Sequence, residues 1–115
     1  MIVFPTKPRA EIMADIRDYI KDAQEILKDN LLAGYLFGSF ARQEETPESD
    51  IDILLLVKNY DYTLQRQLSH LAAEYSVERD AFISTVLEDE PMWRQNKYLD
   101  TLFYQEVQKD GVRLC

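Results

Sequence analysis

Asp50 and Asp52 stand two residues apart, at the head of the apolar run Ile53 to Val57. In a strand, residues two apart project from the same face, so both carboxylates share one side. Like charges held that close repel unless a cation lies between them. Mg²⁺ suits such a pair, because it takes oxygen ligands and keeps positions for water and substrate phosphates. Taken alone, Asp-x-Asp also describes two solvated acids at a strand end. Gly38-Ser39 precedes the pair with ten residues between, Phe40 to Ser49. A glycine at a strand end lets a phosphate approach the backbone, and helix-start N–H groups with the Ser39 hydroxyl can hold it. The combined spacing arises by chance in on the order of one chain in a thousand of this length, so it carries more than either half. Arg42 lies one turn beyond Ser39 and can reach a triphosphate as a charge-assisted donor.

These residues need elements to position them. Ile12, Ile16, Ile20, Ala23 and Leu27 recur at helical spacing and predict a helix over about 9–29, after a lead-in punctuated by Pro5 and Pro8. Leu31 to Phe37 reads as a strand ending at Gly38, and Ser39 as the cap of a short helix over 40–44. Residues 43–49 form an acidic loop. Asp50 to Val57 is the clearest strand: Ile51, Ile53, Leu55 and Val57 face one way, Asp50, Asp52, Leu54 and Leu56 the other. Both faces turn apolar at the far end, which calls for helices on both sides there. Leu64, Leu68, Leu71, Ala72 and Tyr75 mark a second long helix, and Asp80 to Leu87 a third strand. Pro91 opens a short helical turn through Trp93. Leu99, Leu102, Phe103, Glu106 and Val107 mark a last helix, closed by Gly111, and 112–114 a final strand. The order is that of a layered α/β (α+β) domain spanning 1–115, a small sheet with helices packed against it.

Composition narrows the chemistry. At 115 residues the chain is one domain, with 46% apolar and 30% charged residues. Lys and Arg total 13 against 21 Asp and Glu, a formal charge of −8, which argues against a general nucleic-acid binder. One Cys, at position 115, excludes a disulfide framework. One His, His70, with that Cys, excludes zinc-finger ligand sets, and Ser-His-Asp catalysis would have to run through His70 alone. No apolar run approaches the roughly 20 residues of a membrane span, and the start lacks signal-peptide character. The expectation is a cytoplasmic protein without membrane contact.

The segment GSFARQEETPESDIDILLLV resembles the signature of the DNA polymerase β-like nucleotidyltransferases, and more narrowly the minimal nucleotidyltransferases (MNT) paired with HEPN-domain proteins. The ending FYQEVQKDGVRL is similar to the tail of one MNT branch. The resemblance implies the nucleotidyltransferase fold. Gly38, Ser39 and Arg42 would bind nucleotide phosphates, and Asp50 and Asp52 would bind two Mg²⁺. A third carboxylate on a neighbouring strand would complete the catalytic, metal-binding set. Asp80, opening the third strand, is the acid closest to that place, with Glu78 as the alternative. The implied activity is transfer of AMP from ATP to a tyrosine of a HEPN toxin, as an antitoxin. Many relatives carry Gly after the Arg, where this chain has Gln43. A left-handed backbone there would cost Gln43 roughly 1 kcal/mol.

Three other readings share the fold: an antitoxin that acts by binding alone, a small-molecule nucleotidyltransferase of the aminoglycoside-modifying kind, and a non-enzymatic Mg²⁺-dependent regulator. So short a chain has little to grip a base. A HEPN partner or a second copy is expected to wall the site, covering aromatic residues among Tyr60, Tyr62, Trp93, Phe103 and Tyr104.

Overall fold

The alternation along residues 51–57 sets the layers. In the computed structural model, which describes residues 7–46 and 49–115, strand β2 (Ile51–Val57) lies inside a four-stranded sheet. Strand β1 (Leu31–Phe37) pairs antiparallel on one side, and β3 (Ile83–Asp89) pairs parallel on the other. A two-residue strand, β4 (Val112–Arg113), pairs antiparallel with β1, giving the order β3-β2-β1-β4. The chain continues that pairing through Leu114 N–H, which donates to Gly34 O at 2.7 Å, and Gly34 N–H, which donates to Cys115 O at 3.3 Å. The lead-in residues 1–6, with Pro5, and the loop residues Pro47 and Glu48 lie outside the described residues.

One sheet face carries helices α1 (Arg9–Leu27) and α3 (Tyr62–Arg79). Ile16, Tyr19, Ile20 and Ala23 of α1 and Leu68, Ala72 and Tyr75 of α3 pack with Ile51, Ile53, Leu55 and Val57. Tyr19 is fully buried and shares a hydrogen bond of 2.5 Å with Thr85 of β3; burial pushes its phenol up to about 12. The opposite face carries α4 (Glu90–Leu99) and α5 (Leu102–Asp110). There Phe37, Leu54 and Val107 form a second core with Trp93 and Phe103 against it. Helices thus cover both faces at the apolar end of β2, as its sequence requires.

Several boundaries differ from the sequence expectation. Helix α1 ends at Leu27, and Lys28–Asn30 tighten into a 3₁₀ turn with Lys28 at φ 51°. Asn30 then bonds both ways with the Asn59 backbone, at 2.9 and 3.0 Å. Pro91 sits in the first turn of a ten-residue helix, not of a short turn. The Asp89 carboxylate caps that helix by accepting from Met92 N–H at 3.0 Å. Pro91 itself has no N–H to leave unpaired there. Leu99 closes α4, and Thr101 caps α5 by accepting from Tyr104 N–H at 3.2 Å. Gly111 follows α5 with an ordinary φ of −61°, and its missing Cβ leaves room for Val107 O. Of the aromatic residues expected at a partner surface, Trp93 and Phe103 pack edge-on at 5.9 Å, and Phe103 packs on Phe37 at 5.2 Å. Tyr62, by contrast, is exposed.

β3 is an edge strand, and an amide side chain occupies part of its free edge. Gln65 of α3 donates through Nε2 to Thr85 O at 3.2 Å and accepts through Oε1 from Leu87 N–H at 3.1 Å. Both backbone groups are thereby paired without a neighbouring strand.

Among the described residues, no helix is long and apolar enough to cross a membrane.

The short helix α2 (Ser39–Arg42) follows β1 and ends at Gln43, at φ 59° and ψ 34°. This is the left-handed conformation in which a side chain costs about 1–2 kcal/mol and glycine almost nothing. Glycine's extra freedom in the unfolded chain offsets part of the gain. Gln43→Gly is therefore expected to stabilise the fold by about 0.5–1 kcal/mol. Chemical denaturation checks this: a midpoint at or below the parent's contradicts it.

Candidate active site

The Gly38 turn and the head of β2 meet because β1 and β2 pair antiparallel, so that Phe37 lies opposite Asp52. Gly38 follows at φ 78° and ψ −157°, a backbone region open in practice to glycine only. It also lies tight against the acid: a Cβ at Gly38 would overlap Asp52 Oδ2. The turn is a cradle closed on one side by the Asp52 carboxylate. Gly38, not Ser39, occupies the cap position of α2, and no side chain caps the helix. Ser39 is its first residue and is half-buried, so its hydroxyl is not committed to the cap.

Asp50 is exposed just ahead of β2, and Asp52 is half-buried within it. Burial, then the charges of Asp50 and Glu106, push the Asp52 carboxyl above its ordinary value, while Arg42 pulls it down. Arg42 is itself engaged by acids. Its Nε donates to Glu44 Oε2 at 3.1 Å, and its Nη1 lies 3.8 Å from Asp110 Oδ2. The place therefore combines two carboxylates, a third acid, one shared cation and a turn open at the backbone.

Asp80 is not on a strand. It is the C-terminal cap of α3, left-handed at φ 52° and ψ 32°, and β3 begins three residues later at Ile83. The stretch from Asp80 to Phe82 is spent on leaving the helix, with Ala81 buried and its N–H donating to Tyr75 O at 3.4 Å. The expected acid-bearing head of the third strand is thus absent. In the parallel register the residue beside Asp52 on β3 is Ser84, and Ile51 N–H donates to Phe82 O at 2.7 Å just above it. The acids that β3 does carry, Glu88 and Asp89, lie at its other end. Glu88 is buried there with Oε1 accepting from Asn96 at 2.8 Å and Oε2 unpartnered, and burial raises its carboxyl.

Asp80 and Glu78 instead border a cavity of about 1120 Å³, with Arg79, Arg9, Glu45 and Phe82 in its wall. None of Gly38, Ser39, Asp50 and Asp52 lines it. Its cations are taken up in ties between elements. Lys7 pairs with Asp15 and donates to Arg79 O at 2.7 Å, Arg9 pairs with Glu45, and Arg79 donates to Asp18 at 2.7 Å. Among the described residues, no three acids, histidines or cysteines gather as a ready metal cage. The structure brings together Gly38, Ser39, Arg42, Asp50 and Asp52, while Asp80 lines a cavity that also includes Ser49 and Ile51, the residues on either side of Asp50. Glu106, which the sequence analysis did not place at the site, arrives there from α5. Its signal was present in the sequence as an acid within the apolar stripe of the last helix.

The comparisons with known proteins bear on the family and the fold. Residues 14–114 match the family described as "Polymerase beta, Nucleotidyltransferase". The chain is 36% identical over 105 residues to the Methanocaldococcus jannaschii protein named "Putative protein adenylyltransferase MJ0141", covering 90% of this chain and 99% of that one. It superposes on a chain of a toxin–antitoxin crystal structure with AMP-PNP at TM-score 0.60 and 23% identity, covering 86% of this chain and 72% of that one. A chain from the complex of tri-AMPylated Shewanella oneidensis HEPN toxin with MNT antitoxin superposes at TM-score 0.53 and 22% identity, covering 94% and 72%. The fold is that of these structures, and the chain belongs to the polymerase β nucleotidyltransferase family.

Proposed function

We propose that this chain transfers AMP from ATP to a tyrosine hydroxyl of a HEPN-domain partner, and so acts as an antitoxin. The observation that carries the reading is the contact between the Gly38 turn and the Asp52 carboxylate, with Asp50 beside it. A phosphate binder and a carboxylate pair meet at one point, as phosphoryl-type transfer requires. The relatives include proteins named "Putative protein adenylyltransferase", and fold neighbours come from toxin–antitoxin structures.

The residues fit a divalent cation. The donors are hard carboxylate oxygens, and the missing side chain at Gly38 is what lets the Asp52 carboxylate lie against the phosphate turn. Asp50 and Asp52 would hold two Mg²⁺. Bound there, the metals would supply a lowered acceptor-hydroxyl pKa and neutralise the departing pyrophosphate. Gly38 and Ser39 would seat the triphosphate, the glycine by close backbone approach and the serine by its hydroxyl. Arg42 would turn from Glu44 and Asp110 to the phosphate oxygens, exchanging one set of anionic partners for another. The acceptor oxygen would attack the α-phosphorus. The phosphorus–oxygen bond to pyrophosphate would break, and the hydroxyl proton would pass to a site carboxylate or to water. Positioning and electrostatics supply most of the rate.

A second reading, neutralisation by binding alone, is favoured by one observation: Ser84 stands where the resemblance calls for a carboxylate beside Asp52. One experiment separates the two. The purified chain is incubated with Mg²⁺, ATP labelled at the α-phosphate, and a candidate HEPN-domain partner protein. Label on a partner tyrosine, located by mass spectrometry and abolished by chelation, is the expected result. Inhibition of the partner at equal molar ratio without label establishes the second reading instead.

A further inference from the structure

We propose that Glu88 is a latch worked by a proton: neutral, it seats helix α4 on the sheet, and ionised, it loosens that helix. Glu88 stands on β3 beside Leu56 of β2, at the end of the sheet away from Asp50 and Asp52. Among the described residues two acids are buried, and they differ in company. Asp15 is matched by Lys7 and Arg79. Glu88, 8% exposed, has no cation; its Oε1 accepts from Asn96 at 2.8 Å, and its Oε2 has no partner among the described residues. A buried carboxylate with a free oxygen and no counter-charge is costly, and a neutral carboxyl in the same place costs far less.

The bond that Glu88 makes is one of few that hold α4. None of the ten residues of this helix is buried, and only Trp93 and Asn96 are half-buried. Trp93 supplies the apolar contact, against Phe103. Asn96 supplies the polar one. Its Nδ2 donates to Glu88 and to Met92 O at 3.1 Å, so it has no further donor for Oε2. Its Oδ1 accepts from Thr101 Oγ1 at 2.9 Å, and Thr101 caps α5. Glu88 is thus the sheet end of a chain of bonds that runs through α4 to the start of α5. Once ionised, Oε2 needs water, and water reaches it when α4 lifts. The same helix pair extends to the active site, where Asp110 of α5 lies 3.8 Å from Arg42.

The charged groups around Glu88 give the direction. Burial raises its carboxyl above the ordinary 4.5, the Asn96 bond lowers it in part, and Asp89 beside it on β3 raises it further. On α4, Arg94 is paired with Glu90. Lys97 and Asp100 at the end of α4, and Lys58 and Asp61 beyond β2, are exposed and make no ion pair with Glu88 among the described residues. α5 meets the network through uncharged Thr101, and its charged residues Glu106, Lys109 and Asp110 fall in its second half. Helices α1 and α3 lie on the other face of the sheet. The folded chain therefore binds this proton more tightly than the unfolded chain. The seat is firm at low pH and weakens as pH rises through the raised value.

Trp93 is the chain's one tryptophan and stands on α4, so its fluorescence reads the seat. The parent, Glu88→Gln and Asp52→Asn are followed from about pH 5 to about pH 8 by Trp93 emission and by melting temperature, without metal. The parental emission should move to longer wavelength as pH rises, with a midpoint above 4.5. Glu88→Gln should hold the short-wavelength emission throughout, melt above the parent at the high end of the range, and lose that lead toward the low end. Asp52→Asn, which removes the other raised carboxyl on this face, should keep the parental step. Emission that stays fixed in the parent, or that moves alike in the parent and Glu88→Gln, overturns the latch. So does a melting difference between those two that is the same at both ends of the range. A step lost in Asp52→Asn and kept in Glu88→Gln overturns it too, and assigns the titration to the active site.

Discussion

Asp52→Asn is expected to remove nucleotide transfer, by about 10³-fold or more, while leaving the metal-free protein folded with an equal or higher melting temperature. The two halves have one cause. Burial and the charges of Asp50 and Glu106 hold the Asp52 carboxyl above its ordinary value of 3.8. The folded chain therefore binds that proton more tightly than the unfolded chain. Stability falls as pH rises through the interval from 3.8 to the raised folded value, and at neutral pH the ionised group is carried at a cost. Asparagine has the same shape without the charge, so the cost disappears and so does the metal ligand. Saturating Mg²⁺ should reverse the order. It stabilises the parent by binding the folded state alone and gives the variant little. Melting curves with and without Mg²⁺, beside a transfer assay, check all of this. Parental turnover in the variant, or a metal-free variant melting well below the parent, contradicts the account.

Gly38→Ala carries the other large effect, this time on fold and site together. At φ 78° and ψ −157° the backbone occupies a region that L side chains avoid, at a cost of about 1–3 kcal/mol. The new methyl also overlaps Asp52 Oδ2, so the carboxylate must rotate away or the turn must open. Either movement breaks the contact between the phosphate turn and the acid. The expected outcome is a lower denaturation midpoint, Mn²⁺ affinity reduced along with it, and loss of transfer even at saturating ATP. A variant that is destabilised but transfers at the parental rate would show that the turn serves folding only.

β2 was legible because its alternation answers to burial on two faces, and burial is written in residue type. Ile51, Ile53, Leu55 and Val57 went to one core and Leu54 to the other, as the pattern requires. The Gly38 turn and the left-handed Gln43 were legible for a related reason, since glycine and its replacement mark positions where φ is positive. Asp80 was not. In RDAFISTVL a helix exit and a strand entry share β-branched and aromatic residues, and nothing local says where the helix stops. The left-handed turn at Asp80 uses three residues that an earlier strand start would have claimed. Trp93 and Phe103 could be read as core or as partner-facing, because their burial depends on α4 and α5 meeting over Phe37, a long-range contact no local pattern encodes. Glu106 shows the same limit: its position in the stripe is local, and the acid across from it is not.

The Gln65 amide bears on how this protein can meet others. A sheet edge with free N–H and C=O groups invites a strand from another chain, which adds by backbone pairing with little demand on sequence. Here Gln65 fills two such groups in the middle of β3, and β4 with the closing residues Leu114 and Cys115 covers the β1 edge. Strand addition at β3 would first have to displace a side chain that already pairs like a strand. With β3 obstructed and only the two-residue β4 at the other edge, recognition falls mainly to side chains on helices and loops, where it depends on shape and charge at each position. For a protein proposed to restrain one particular partner, an edge that refuses unselective pairing keeps it from sticking to other chains, including its own.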